Sequence, residues 1–173
     1  MTKCSKLTDL GRRQFLASAS RLSAGVAVAS VLTTEGTAAP SAALVRYPKN
    51  RLANIAELKV GEPLDISYPD RDAPGVLIRL GSRVPTGIGP EGDIVGFITL
   101  CPHKGYPLTY SAEDKSMNCP GHYTRFDCEK GGLQIWGHAT QNLPQYFLSI
   151  DGKGDIYAEG VDELIYGRLS NII

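Results

Sequence analysis

The sequence predicts an all-β, antiparallel body built from short strands. Short runs of β-branched and aromatic residues recur between Gly/Pro-rich breaks, and such runs read as strands. The 19 glycines and 11 prolines in 173 residues favour a loop-rich body over a helix bundle. No long stretch carries the 3.6-residue periodicity of an amphipathic helix. With 42% hydrophobic and 21% charged residues the chain can bury a core, which excludes wholesale disorder.

The elements follow in order. Residues 1–43 read as a targeting leader, to be kept out of fold reasoning. Gly11-Arg12-Arg13-Gln14-Phe15-Leu16 resembles the twin-arginine export signature. An apolar run ending in Gly25-Val26-Ala27-Val28-Ala29-Ser30-Val31-Leu32 follows, then small residues through Ala43. Ser41 and Ala43 suit a small-x-small cleavage site, releasing Leu44. The apolar run falls short of the roughly 20 residues of a spanning helix, and Arg21 interrupts it. Cleavage is therefore expected over an uncleaved anchor. Residues 44–173 form the one expected domain, in the size range of a single core.

Ile55-Ala56-Glu57-Leu58 suggests a strand entry, and Val76-Leu77-Ile78-Arg79-Leu80 a strand between Pro74-Gly75 and Gly81. Pro85 to Gly92 is a loop, and Ile94-Val95-Gly96-Phe97-Ile98-Thr99-Leu100 a strand running into Cys101. Further strands are expected at Gln134–Trp136, Tyr146–Ile150 and Asp155–Ala158, the last two joined by an Asp151-Gly152-Lys153-Gly154 turn. Val161 to Ile173 is too short to stand alone and docks on the body or on a partner.

The formal charge is zero but unevenly spread. Residues 1–43 carry five Lys/Arg and two Asp/Glu, which leaves 13 basic and 16 acidic groups on 44–173, a net of −3. A nucleic-acid binder would need a clustered basic face, and none is visible. Four cysteines are too few and too unevenly placed for a disulfide framework.

Two of those cysteines stand beside histidines. Cys101-Pro102-His103-Lys104-Gly105 is followed, after residues 104–118, by Cys119-Pro120-Gly121-His122. Each half is a thiolate and an imidazole on one tight loop. Thiolate is a strong ligand for iron, and neutral imidazole a weaker donor. Pro and Gly fix the loop shape and let backbone come close to a bound group. A Cys2His2 zinc knuckle uses the same four donors. Its usual flanks include a helix, whereas strands flank both loops here. Cys128 reads as a small buried hydrophobe with no ligand role.

These motifs resemble the Rieske iron–sulfur protein family, over about residues 94–146. The resemblance implies a Rieske-type antiparallel β sandwich or barrel with a small subdomain of two cluster-binding loops. It implies a [2Fe–2S] cluster held by Cys101 and Cys119 on one iron and His103 and His122 on the other. Two ferric ions, two sulfides and two thiolates sum to zero charge. Such a cluster accepts an electron readily, at roughly −150 to +300 mV. It conducts and converts nothing, so no catalytic residue is expected.

Departures from the family pattern are informative. Rieske proteins of cytochrome bc complexes carry a disulfide between the two loops; Tyr106 and Gly121 stand at those positions. They also carry a serine and a tyrosine that donate to cluster sulfurs; Thr124 and Phe126 stand there. Thr124 can still donate and Phe126 cannot. His138 and Thr140 replace prolines of the cluster-shielding loop, and His138 is read as a surface loop residue.

The chain is most similar to the small Rieske subunits of arsenite oxidases. Ala139-Thr140-Gln141-Asn142-Leu143-Pro144-Gln145-Tyr146 and Glu159-Gly160-Val161-Asp162-Glu163-Leu164-Ile165-Tyr166-Gly167-Arg168 carry that likeness, with the leader and the loops. It implies a non-catalytic electron-transfer subunit of an oxidoreductase, paired with a large molybdopterin-containing subunit where arsenite is oxidised. It further implies a periplasmic c-type cytochrome or azurin-like copper protein as acceptor. A cytochrome bc-type Rieske subunit is the alternative, opposed by the missing disulfide and the weak anchor. A Rieske oxygenase needs a further mononuclear iron site, and only His138 remains to build it.

Overall fold

The computed structural model describes residues 46–172. The expected leader, with its arginine pair and small-residue exit, lies outside the described residues. Ten strands order as β1 (Asn50–Asn54), β2 (Pro63–Ser67), β3 (Pro74–Arg79), β4 (Ile94–Ile98), β5 (Thr109–Ser111), β6 (Ser116–Asn118), β7 (Arg125–Asp127), β8 (Leu133–Trp136), β9 (Tyr146–Ile150) and β10 (Asp155–Val161). They form three sheets, β1-β10-β9, β2-β3-β4 and β5-β6-β7-β8, with every ladder antiparallel. The expected all-β antiparallel body is therefore the observed one.

The β2-β3-β4 sheet is the centre. Alternate residues of a strand face opposite sides. Val76, Ile78, Val95 and Phe97 pack with Met117, Phe126, Cys101 and Cys119, towards the β5–β8 sheet. Leu77 and Ile94 pack the other way, with Ala53 and Ile156 of the β1-β10-β9 sheet. Every residue of β4 is buried. Burial on both faces explains why β3 and β4 read as continuous apolar runs.

The Ile55–Leu58 expectation is corrected. Residues Ile55–Glu57 form a 3-10 turn, and the strand is β1, just before it. Asn54 decides this: its side chain accepts from the Ala56 N–H, while Glu57 accepts from the Asn54 N–H. That reciprocal cap satisfies backbone donors locally and ends the strand. The 151–154 turn forms as expected, with Gly154 at φ 83° and its N–H on the Asp151 carbonyl.

The C-terminal stretch docks on the body. Ile165 is buried beside Tyr68, Ile98 and Tyr146. Leu164, Tyr166 and Leu169 of the same stretch stay exposed.

Candidate functional site

Both Cys–His motifs fold into one and the same turn. In the first loop the Cys101 N–H donates to the Tyr106 carbonyl at 2.8 Å, and the Gly105 N–H to the Cys101 carbonyl at 2.7 Å. In the second the Cys119 N–H donates to the Thr124 carbonyl at 2.8 Å, and the Tyr123 N–H to the Cys119 carbonyl at 3.0 Å. The fifth residue of each turn is left-handed: Gly105 at φ 68° and Tyr123 at φ 58°. Glycine takes that conformation freely; for a tyrosine it costs on the order of 1–3 kcal/mol. Strands fix both loops. The first follows β4, and the second joins β6 to β7.

The turns bring the expected donors of the two loops together, histidine beside histidine and cysteine beside cysteine. Cys101 and Cys119 are 0% and 2% exposed. The His103 and His122 rings lie 4.8 Å apart, inclined at 73°. The His103 Nδ1 is buried with no hydrogen-bond partner. An orphaned buried nitrogen is costly unless something binds it. Burial, and then the neighbouring His122, hold His103 below the usual histidine value, in the neutral form that ligates metals.

Burial pushes the Cys101 thiol up, and the adjacent Cys119 adds to that. The His103 and Lys104 backbone N–H groups donate to the Cys101 sulfur and oppose it. Thiolate character at two adjacent buried sulfurs would need a cation between them. Among the described residues no three His, Cys, Asp or Glu side chains converge on a single ion. A binuclear cluster does not ask for that, since each iron takes two protein ligands and two sulfides. The donor set and the orphaned nitrogen fit a [2Fe–2S] group.

A third loop closes over the site. Thr124 is buried, and its hydroxyl accepts from the His138 and Ala139 N–H groups at 3.1 and 3.3 Å. Its own proton is left free to donate. Gly137, at φ 95°, lies so close that a Cβ there would sit 2.5 Å from the Thr124 Cα.

His138 is exposed, as expected, yet its ring stacks 6.0 Å from His103 and lies 6.3 Å from His122. Nothing in the sequence signalled that approach. Where the resemblance places a disulfide, the Tyr106 ring packs on Gly121, and a Cβ there would meet it at 2.8 Å. Cys128 is buried, its thiol pushed up to about 12 mainly by burial, which suits a core residue. Phe126 is buried in the same cluster as Cys101 and Cys119. Tyr106, Tyr123 and Trp136 form an exposed aromatic rim beside His122.

Residues 49–147 match the family described as the Rieske [2Fe-2S] domain. The iodate reductase subunit IdrB of Denitromonas iodatirespirans is 40% identical over 166 residues, 93% of this chain and 89% of that protein. The same subunit from Pseudomonas sp. (strain SCT) is 42% identical, over 91% and 82%. The cytochrome bc1 Rieske subunit of Corynebacterium efficiens is 33% identical over 49% of this chain and 23% of its own length. The soluble domain of Rieske protein II (SoxF) from Sulfolobus acidocaldarius superposes with a TM-score of 0.61 at 25% identity, over 68% of this chain and 80% of that one. The fold, the paired loops and these likenesses agree: the chain belongs to the Rieske [2Fe–2S] domain family, and a Rieske cluster is its cofactor.

Proposed function

We propose that this chain is the electron-relay subunit of an exported molybdopterin oxidoreductase. In this reading Cys101 and Cys119 hold one iron, and His103 and His122 the other. The observation that carries it is the pair of matched turns, with two buried thiols, an orphaned buried His103 Nδ1 and the His103 and His122 rings 4.8 Å apart. The bound cluster supplies one-electron transfer. The protein's own groups do the rest. Backbone N–H groups of His103 and Lys104 steady the Cys101 sulfur, and Thr124 keeps one proton to donate. Burial keeps water from the cysteines, while exposed His122 gives the electron its way in or out.

The leader, residues 1–43, directs the folded, cluster-loaded domain 44–173 through the twin-arginine route to the periplasm. Among the described residues no helix is long and apolar enough to cross a membrane. The partner is a large molybdopterin-containing subunit. A c-type cytochrome or azurin-like copper protein exchanges electrons at the aromatic rim.

The relatives covering nine-tenths of the chain are named as iodate reductase subunits, which favours a complex that reduces iodate. Electrons then run inward, from the carrier to the catalytic subunit. The resemblance of residues 139–146 and 159–168 to arsenite oxidase supports a second reading, in which they run outward from arsenite.

Purification of the native complex from periplasm, with EPR, separates these. The expected result is a reduced [2Fe–2S] signal, co-eluting molybdenum, and bleaching of that signal by iodate. Reduction of the oxidised cluster by arsenite selects the second reading. His122→Leu and His103→Leu are each expected to abolish the Rieske signal. An unaltered reduced spectrum in both variants overturns the ligand assignment.

A further inference from the structure

Resting on the ligand reading above, we infer that the C-terminal segment is a strap that positions the first cluster loop, with Tyr166 as its positioning residue. Two loops hold the donors, and the third, Gly137–Pro144, is tied to the second through Thr124. The strap completes the ring. The Gln141 side-chain amide donates to the Leu164 carbonyl at 3.0 Å, joining the third loop to the strap. Two residues on, the Tyr166 ring lies on Gly105 of the first loop. A Cβ at Gly105 would sit 2.5 and 2.6 Å from the Tyr166 Cδ1 and Cε1. Gly105 therefore does two things: it takes the left-handed φ of the turn, and it leaves room for the ring.

The strap is itself held to the body, so it can hold something else. Ile165 is buried in the core. The Asn171 side chain accepts from the Ile165 N–H at 2.8 Å and donates to the Glu163 carbonyl at 2.8 Å. It also reaches the Tyr47 hydroxyl at 2.9 Å, at the other end of the described chain. Arg168 makes two hydrogen bonds to Asp70, at 2.6 and 2.8 Å. Tyr166 is 41% exposed and belongs to none of the buried clusters. Its ring is spent on the loop rather than on the core.

What the loop position controls is charge at the Cys101 sulfur. Gly105 closes the turn that carries Cys101 and His103, its N–H on the Cys101 carbonyl, and so sets how closely the loop's backbone N–H groups approach the cluster sulfurs. Donors to cluster sulfurs stabilise the more negative, reduced cluster. A loop free to relax outward lengthens those bonds, and the reduced state loses support.

The test uses the full-length, cluster-loaded protein and reads midpoint potential by voltammetry, EPR line shape and the rate of cluster bleaching. Tyr166→Ala is expected to lower the potential, broaden the EPR lines and speed bleaching several-fold. Tyr166→Phe keeps the ring and is expected to match wild type. Leu169→Ala, in the same strap but fully exposed, is expected to change nothing. Tyr166→Ala with wild-type potential and spectrum overturns the proposal. So does a Tyr166→Phe or Leu169→Ala shift as large as that of Tyr166→Ala. Should Tyr166→Ala fail to load a cluster, Gln141→Ala decides, since it removes one exposed tether and no packing. It must then lower the potential, and a wild-type value overturns the strap. A wild-type protein without a Rieske EPR signal would instead sink the ligand reading, so the two failures are distinguishable.

Discussion

Phe126 shows how one ring sets a property of the site. It is fully buried on β7, opposite Met117, in the cluster that contains both proposed ligand cysteines. Family members with tyrosine there donate a hydrogen bond to a cysteine sulfur, which a phenyl ring cannot do. Phe126→Tyr is therefore expected to raise the midpoint potential, measured by voltammetry. A hydroxyl that found no sulfur would instead cost about 1–3 kcal/mol of stability and leave the potential unmoved, and that result would refute the argument. The four proposed donors stood out because Cys-x-His and Cys-x-x-His are dense signals. Tyr123 was not: nothing about a tyrosine marks the left-handed position that Gly105 marks openly in the other loop. The stacking of His138 on His103 was equally hidden, since it depends on where the third loop lands.

At the scale of elements, two glycines make a slot between neighbouring strands. Gly75 of β3 and Gly96 of β4 lie on the same side of the central sheet, and Tyr146 of β9 fills the gap they leave. A Cβ at Gly75 would overlap the Tyr146 hydroxyl and come within 2.8 Å of the Phe97 carbonyl oxygen. At Gly96 it would lie 2.7 Å from the tyrosine ring. Gly75→Ala is thus expected to destabilise by about 2 kcal/mol through overpacking, visible as a lowered Tm of roughly 5–10 °C. An unchanged Tm would mean the strands can separate at no cost. In the sequence, Gly75 reads as a strand boundary, and only the packing shows that it is an interior position chosen for its missing side chain. The strands β3, β4, β9 and β10 were legible from their apolar runs and the Asp151–Gly154 turn. Strand β2 was not, because its burial alternates with no fully buried residue. Strands β5, β6 and β7 have three residues each, too few to show a period.

Over the whole molecule, remote parts of the chain are tied together. The Arg168–Asp70 pair spans 98 residues of sequence. The arginine side chain is 10% exposed and the aspartate 36%. The guanidinium holds the Asp70 carboxyl below its ordinary value of 3.8. A carboxylate held low stabilises the fold above its unfolded value, and that contribution disappears as pH falls through the lowered one. Asp70→Asn is expected to cost about 1 kcal/mol at pH 7, kept small by solvent screening at a one-third-exposed group. The difference between variant and wild type should close as pH drops below 4. Denaturant midpoints across that range provide the check, and a gap that persists in acid would assign the loss to packing rather than charge.

By itself the sequence determined the all-β class and marked out four candidate donors and the kind of group they suit, because ligand chemistry and strand composition are local properties. Tertiary structure alone decided that two unlike loops adopt one turn, that His138 stands over His103, and that the C-terminus closes a ring around the site. Those are contacts between residues far apart in the chain, and their existence depends on how three sheets pack rather than on any neighbour in sequence.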